Sequence, residues 1–275
     1  MKILIASPID PAAIEELRQH HGVICAFDAT EDLLQELIVD CTVLVFRSGV
    51  SITTGVMESA PALQLLVRAG IGIDNLHVEY AQQRGLTLVR IPEPGAEAVA
   101  EMSFALMLAL SRNLLEADRS MRQGHWAKYE LAGYLLKRKT LGIVGVGNTG
   151  TPVGEAAVAW GMEVIGCVER PSPARAAALE DRGIRLTDSD EVISTADYVS
   201  IHVPLKESTR NLIDAGVLDR MKPESFLINL GRAVSWRKTH CTCHSPRGTD
   251  CAVQPWMSTG RKVRAGCRPW PACPT

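Results

Sequence analysis

The sequence predicts an α/β protein built from two doubly wound parallel sheets. Two observations carry this: short β-rich runs alternate with amphipathic stretches along the first ninety residues, and the same alternation restarts near Thr140. A single apolar helix-forming stretch, Ala96 to about Arg122, separates the two series.

In the first series, Lys2–Ala6, Gly22–Ala26, Thr42–Phe46, Gln64–Arg68 and Thr87–Ile91 read as strands. Pro11–His20, Glu31–Ile38, Gly55–Ser59 and Val78–Arg84 read as the helices between them, several opened by Pro, Asp or Thr. The stretch from Ala96 reads as one long helix, apolar nearly all round at Val99, Met102, Phe104, Leu106, Met107 and Leu110, and so buried between domains. In the second series Leu141–Gly145, Glu163–Val168, Tyr198–His202 and Phe226–Asn229 read as strands. Thr149–Trp160, Pro173–Arg182, Ser189–Thr195, Thr209–Leu212 and Ala215–Met221 read as helical.

Bulk numbers narrow the function class. The 275 residues are 46% hydrophobic with a formal net charge of -2, which gives no reason to expect nucleic acid or an anionic membrane as partner. Met1-Lys2 leads into a four-residue apolar run and then Ser7, Pro8 and Asp10, without the pattern of a signal peptide. The longest apolar stretch is interrupted by Glu97 and Glu101, and a cytoplasmic protein without a membrane span is expected.

Gly145-Val-Gly147-Asn148-Thr149-Gly150 is a G-x-G-x-x-G sequence at the end of an apolar strand and the start of a helix, the context that gives the motif meaning. The first glycine makes the turn, the second admits a pyrophosphate, and the third permits close helix–strand contact. This predicts a Rossmann-type domain for NAD, with NADP open. The ribose-binding acid should end the next strand, where Val168 stands, followed by Glu169 and Arg170. Glu169 could accept the ribose hydroxyls of NAD; Arg170 could favour the 2′-phosphate of NADP; both could be a solvated pair.

From Met1 to about Val234 the chain resembles the D-isomer-specific 2-hydroxyacid dehydrogenases, above all the phosphoglycerate dehydrogenase-like branch. Arg47-Ser48-Gly49-Val50 resembles that family's loop of backbone donors for a substrate carboxylate. Val67-Arg-Ala-Gly70-Ile71-Gly-Ile-Asp-Asn75 resembles its R-A-G-x-G-x-D-N signature, which implies Gly70 against the substrate and Ile71 near the cofactor. Pro92–Gly95 with Val99–Glu101 resembles the crossover between domains. Ser200-Ile-His202-Val203-Pro204 with Thr209 resembles the turn bordering the adenosine. Lys222-Pro through Ile228-Asn-Leu230-Gly231-Arg232 resembles the segment ending in the catalytic arginine. The resemblance implies hydride transfer between NAD(P) and a small 2-hydroxyacid such as 3-phosphoglycerate, or its 2-oxoacid such as glyoxylate or hydroxypyruvate. It further implies an Arg–Glu–His catalytic set with Arg232 as the arginine, and a homodimer through the long helix. Residues 1–98 would be the substrate domain, flavodoxin-like, and 99–234 the cofactor domain, incomplete.

The resemblance ends near Ser235. The family continues with a helix, a strand ending in Leu-Asp-Val, a Glu and a Pro-His pair, none of which follows Arg232 here. Five of the eight cysteines (Cys241, Cys243, Cys251, Cys267, Cys273) crowd residues 235–275, where seven cations face one acid, Asp250. That balance of +6 leaves -8 for the rest of the chain. No helical or strand periodicity is visible, and an unstructured tail is expected. Permitted codons for Trp236 to Val263, read one frame over, can spell AEDALYLSLAEGHGLRGAALDVYGAEG, which restores the missing helix, the LDV strand and the Glu. A frameshift, genuine or from sequencing, is the expectation. As written, the chain would then be a cofactor-binding remnant or sensing module with little turnover. A zinc site at Cys241, Cys243, His244 and Cys251 is disfavoured because the paired C-x-x-C spacing is missing, and no metal is expected.

Overall fold

In a computed structural model of the chain, residues 1–70, 72–230 and 250–253 are described. The described residues divide into two compact units, 1–95 and 96–253.

The first unit runs β1 (Lys2–Ile5), α1 (Pro11–His20), β2 (Gly22–Cys25), α2 (Glu31–Ile38), β3 (Val43–Phe46), α3 (Thr54–Glu58), β4 (Leu65–Arg68), α4 (Val78–Gln83) and β5 (Thr87–Arg90). The sheet order is β2-β1-β3-β4-β5, with every pair parallel. Helix starts follow local chemistry. The Asp10 carboxylate accepts from the Ala12 N–H at 2.8 Å ahead of Pro11, and the Thr30 and Thr53 hydroxyls accept from Leu33 and Val56. Alternate strand residues enter opposite cores. Leu4, Leu44, Phe46 and Leu66 pack on one face, and Ile3, Ile5, Val43 and Val45 on the other. Both faces are therefore covered, as a parallel sheet requires.

Helix α5 (Glu93–Ser111) is followed by α6 (Leu114–Arg122), and the two are bent by 61°. The expected single helix to Arg122 is thus broken. Asn113 adopts a left-handed conformation, φ 50°, and its amide donates to the Ala132 carbonyl at 2.9 Å. Asparagine tolerates that region at low cost, and the Tyr134 N–H caps the Ser111 carbonyl at 2.8 Å. Ala100, Phe104 and Met107 of α5 pack into the core of the second unit, whereas no residue of α6 is buried. Among the described residues no single helix is long and apolar enough to cross a membrane.

The second unit continues with β6 (Thr140–Val144), α7 (Gly150–Ala159), β7 (Glu163–Cys167), α8 (Pro173–Glu180), β8 (Ile184–Leu186) and α9 (Ser189–Thr195). It ends with β9 (Tyr198–Ile201), α10 (Ala215–Arg220), β10 (Phe226–Asn229) and β11 (Asp250–Val253). The sheet order is β11-β10-β9-β6-β7-β8, again all parallel. Leu141, Ile143, Tyr198, Phe226 and Ile228 pack on one face; Val144, Val199, Ile201 and Leu227 pack on the other.

Three further features differ from the sequence reading. Ile184–Leu186 forms a strand that three residues are too few to signal by alternation. Thr209–Leu212 is not helical: Glu207–Thr209 is a 3-10 turn in which the Thr209 hydroxyl donates to the Pro204 carbonyl at 2.6 Å. Asn211 then turns left-handed at φ 55°. Within the segment expected to lack strands, Asp250–Val253 pairs with β10 in parallel, satisfying backbone groups that an edge strand would leave open.

Asp197, at the foot of β9, ties the sheet to its return loop. Burial opposes ionisation of its carboxyl, but the Lys222 ammonium at 2.8 Å, the Thr140 N–H at 2.9 Å and nearby Lys139 outweigh burial and hold it below the usual carboxylate range. A carboxyl whose folded-state pKa is depressed stabilises fully above its unfolded value of about 3.9 and loses that contribution as pH falls through the folded value. Asp197→Asn is expected to lower the urea midpoint at pH 7 and to flatten its decline below about pH 4. A wild-type acid limb retained in the variant would assign that limb to other groups.

Candidate functional site

In the second sheet, β6 has β7 on one side and β9 on the other, so the strand order reverses between β6 and β9 and leaves a crevice at their carboxyl ends. Open α/β sheets bind ligands at such a switch point. Gly145 follows β6 there with φ 97°, and a Cβ added to it would lie 2.8 Å from the His202 carbonyl oxygen just beyond β9. Gly150 begins α7, and a Cβ there would overlap the Gly145 carbonyl oxygen. A Cβ on Gly147, by contrast, would meet nothing within 4 Å. The outer glycines are required by the fold, while the middle one borders open space. Among the described residues the amide N–H groups of Asn148 and Thr149 have no acceptor, and both point of entry and donors suit a phosphate at a helix N-terminus. The residues therefore fit a dinucleotide.

A cavity of about 750 Å³ opens from this turn. Of the candidate cofactor residues, Gly145, Gly147, Val168, Glu169, Arg170, His202, Val203, Pro204 and Thr209 line it. Gly150 and Thr149 stand behind the turn, Asn148 is exposed beside it, and Leu230 is half-buried after β10. Ile71, Gly231 and the expected catalytic Arg232 lie outside the described residues, as do the side chains of the Cys241, Cys243, His244 and Cys251 set. Among the described residues, no three His, Cys, Asp or Glu side chains are grouped to hold a metal.

The cavity also takes in Arg175, Asp188 and Lys206, which the sequence reading did not single out. The Arg175 guanidinium donates to the Val146 carbonyl at 2.7 Å, inside the glycine turn. Lys206 donates to Glu169 at 2.9 Å, and that ammonium holds the exposed Glu169 carboxyl below its usual range. Asp188 caps α9, accepting from the Glu191 N–H at 2.8 Å. Only the parallel topology brings these positions together, since they follow three different strands. Lys206 had one sequence signal, its place in the loop between Pro204 and Thr209. Burial pushes the His202 imidazole down to about 4, so the ring is neutral near pH 7, and its Nε2 lies 2.7 Å from the Ser200 hydroxyl.

The first sheet has its own switch point, between β1 and β3. The loop Ser48-Gly49-Val50 leaves the carboxyl end of β3, and the Arg47 N–H donates to the Ser7 hydroxyl beyond β1 at 2.9 Å. The Asn75 amide donates to the Arg47 and Val50 carbonyls at 3.0 and 2.5 Å, which fixes the loop from the far end of the glycine-rich signature. Gly49 has φ 99°, and among the described residues the N–H groups of Ser48, Gly49 and Val50 have no protein acceptor. Gly70, φ 146°, packs against the Arg68 guanidinium, whose Nε donates to the Gly72 carbonyl at 2.7 Å.

Residues 104–239 match the family model described as D-isomer specific 2-hydroxyacid dehydrogenase, NAD binding domain. The chain is 37% identical over 233 residues to a D-3-phosphoglycerate dehydrogenase of Methanocaldococcus jannaschii, covering 84% of this chain and 44% of that protein. It is 34% identical over 232 residues to a hydroxypyruvate reductase of Thermotoga maritima, covering 84% and 74%. The chain thus spans less than half the length of some curated relatives it matches. Among solved structures, the TT0316 protein of Thermus thermophilus superposes with a TM-score of 0.79 at 27% identity, covering 92% of this chain and 82% of that one. An NAD-dependent formate dehydrogenase from Staphylococcus aureus, solved with NAD, gives 0.76 at 26% identity, covering 93% and 82%. With its glycine turn at the switch point and its motifs in order along two parallel sheets, this chain belongs to the D-isomer-specific 2-hydroxyacid dehydrogenase family.

Proposed function

We propose that the protein binds NAD or NADP in the second unit and moves a hydride between it and a small 2-hydroxyacid held by the first. The observation that carries this is the Gly145–Gly150 turn at the switch point, with open space at Gly147 and beside it N–H groups that have no acceptor among the described residues. The nicotinamide ring, when bound, supplies the site that accepts or gives the hydride. The protein's own part is to hold and polarise. The N–H groups of Ser48, Gly49 and Val50 bind the substrate carboxylate, with Gly70 beside it. Arg232 offers two parallel donors to the carboxylate and the reacting oxygen. His202, Val203, Pro204 and Thr209 line the adenosine side, and Leu230 and Gly231 lead the chain to Arg232. The substrate chemistry is that of 3-phosphoglycerate, glyoxylate or hydroxypyruvate, and the compartment the cytoplasm, where Cys25, Cys41 and Cys167 persist as free thiols.

A second reading has its own support. Residues 235–275 do not match the family's segment that holds the Glu and the Pro-His pair, and on this reading the chain as written would be a binding remnant or sensor with a frameshifted last segment. Titration of the chain's tryptophan fluorescence with NADH and NADPH, beside turnover of D- and L-2-hydroxyacids, separates the readings. Binding with D-specific turnover supports the dehydrogenase; binding without turnover supports the remnant; no binding of either cofactor overturns both.

The face of α6 supports a homodimer. Leu114, Leu115 and Met121 are exposed on this helix, and Trp126 just beyond it is 76% exposed, apolar side chains that an interface between two copies would cover. Light scattering is expected to give twice the 29.8 kDa chain mass, and Leu115→Glu with Met121→Glu to return it to the monomer value.

A further inference from the structure

We propose that the adenosine end of the cavity selects a cofactor bearing a 2′-phosphate, so that NADPH is preferred to NADH. This rests on the cofactor-binding reading above and names the ligand of that same site.

Selection of NAD requires a carboxylate at the end of β7, free to accept from both ribose hydroxyls. β7 ends at Cys167, and the next position is Val168, whose side chain can accept nothing. The cavity wall holds two carboxylates, and both have partners. Glu169, one residue further on, is bound to Lys206 at 2.9 Å, and Asp188 caps α9. Each has one oxygen engaged, and neither stands at the strand end, where the acid that takes both ribose hydroxyls is placed.

The cations answer the opposite need. Arg170, Arg175 and Lys206 all line the same cavity. Arg170 has no hydrogen-bond or ion-pair partner among the described residues. Arg175 is oriented by the Val146 carbonyl and retains further N–H donors on its guanidinium, which carries five in all. Lys206 has one carboxylate partner and donors to spare. The hydroxyls of Ser189, Ser208 and Thr209 line the cavity as well. Three cations against two engaged carboxylates suit a group that is close to a dianion near pH 7 and offers three acceptor oxygens. Arg is the side chain that binds phosphate through two parallel donors, and Arg170 lies three residues beyond the strand end.

The full chain, titrated by tryptophan fluorescence or calorimetry, should bind NADPH at least about tenfold more tightly than NADH. Adenosine 2′,5′-bisphosphate should show the same margin over 5′-AMP, which locates the preference at the ribose without the nicotinamide. The ratio of the two affinities is the readout. Arg170→Ala combined with Lys206→Ala should bring it to near one, and Val168→Asp should invert it. Added salt should lower the ratio, because exposed charges are screened. Circular dichroism matching the parent's keeps a variant's result interpretable, and the fragment comparison on the parent chain needs no variant. Equal affinities, or NADH bound more tightly by the parent, would overturn the proposal while leaving the cofactor site intact. If neither cofactor nor either fragment binds, the underlying functional reading falls with it.

Discussion

Reading the coding DNA one frame over from the Trp236 codon to its own stop is expected to raise turnover of a D-2-hydroxyacid at least about a hundredfold above that of the chain as written. The reason lies in what the reaction needs beyond binding. Arg232 can hold a carboxylate and polarise a carbonyl, but the developing alkoxide must also take a proton, and a positioned general acid contributes roughly 10²- to 10⁴-fold. The written sequence after Val234 offers His240 and His244 without the motif that would place them, and Asp250 as its one acid. With permitted codons, the shifted reading can spell a helix-forming stretch, an LDV strand and a Glu. Resequencing across the codons for Gly231 to Cys251 comes first: a gained or lost base there supports the shifted chain as the enzyme. Expression of both chains then compares their turnover at matched cofactor saturation. If the two turn over substrate equally, the general acid lies elsewhere and the frameshift explains nothing about activity.

The second large effect is expected from the glycine turn, and it splits in two. Gly150→Ala places a Cβ onto the Gly145 carbonyl, between α7 and the strand it packs on, and no flexible side-chain end is there to move aside. Forced overpacking of this kind costs about 2 kcal/mol, or roughly 5 °C in Tm for a domain of this size, and cofactor affinity should fall with the distorted turn. Gly147→Ala adds the same methyl to open space. Its Tm should stay within about 1 °C of the parent's, while NADPH and NADH both bind at least about tenfold more weakly, because the methyl occupies the path of the pyrophosphate. Thermal unfolding and fluorescence titration of the two variants check this. A Gly147→Ala chain that binds normally would mean that the open space at Gly147 is not where a phosphate approaches.

Much of the fold is legible in the sequence because local and tertiary preferences agree. Pro11–His20 has a capping Asp10, Pro at its first position and Ile14 for its buried face, and nothing in the tertiary structure opposes it. Ser189–Thr195 begins behind Asp188 in the same way. The failures come where a distant partner decides. Asn113 breaks the helix from Ala96 because residues 132 to 134 return to accept its amide and to cap Ser111. Nothing within the helical stretch signals that return. Thr209 looked helical by composition, yet its hydroxyl is committed to Pro204 and Lys206. At the site, the glycine turn and His202–Pro204 were legible as motifs of consecutive residues. Arg175, Asp188 and Lys206 were not, since each follows a different strand and only strand order sets them around one cavity.

The closed pairing of the first sheet bears on how the chain leaves the ribosome. All five of its strands find their partners between Lys2 and Arg90, so its hydrogen-bonding is complete before any residue of the second sheet has been made. Synthesis from the N-terminus lets such a unit fold while the remainder is still being translated. β6, in contrast, must wait for β9, some sixty residues later, and β10 later still. A nascent chain stalled after about residue 130, with its exit-tunnel segment hidden, should already protect the β1–β5 amides from exchange. Whatever alters the message beyond Arg232 therefore acts on a polypeptide whose first third has already settled.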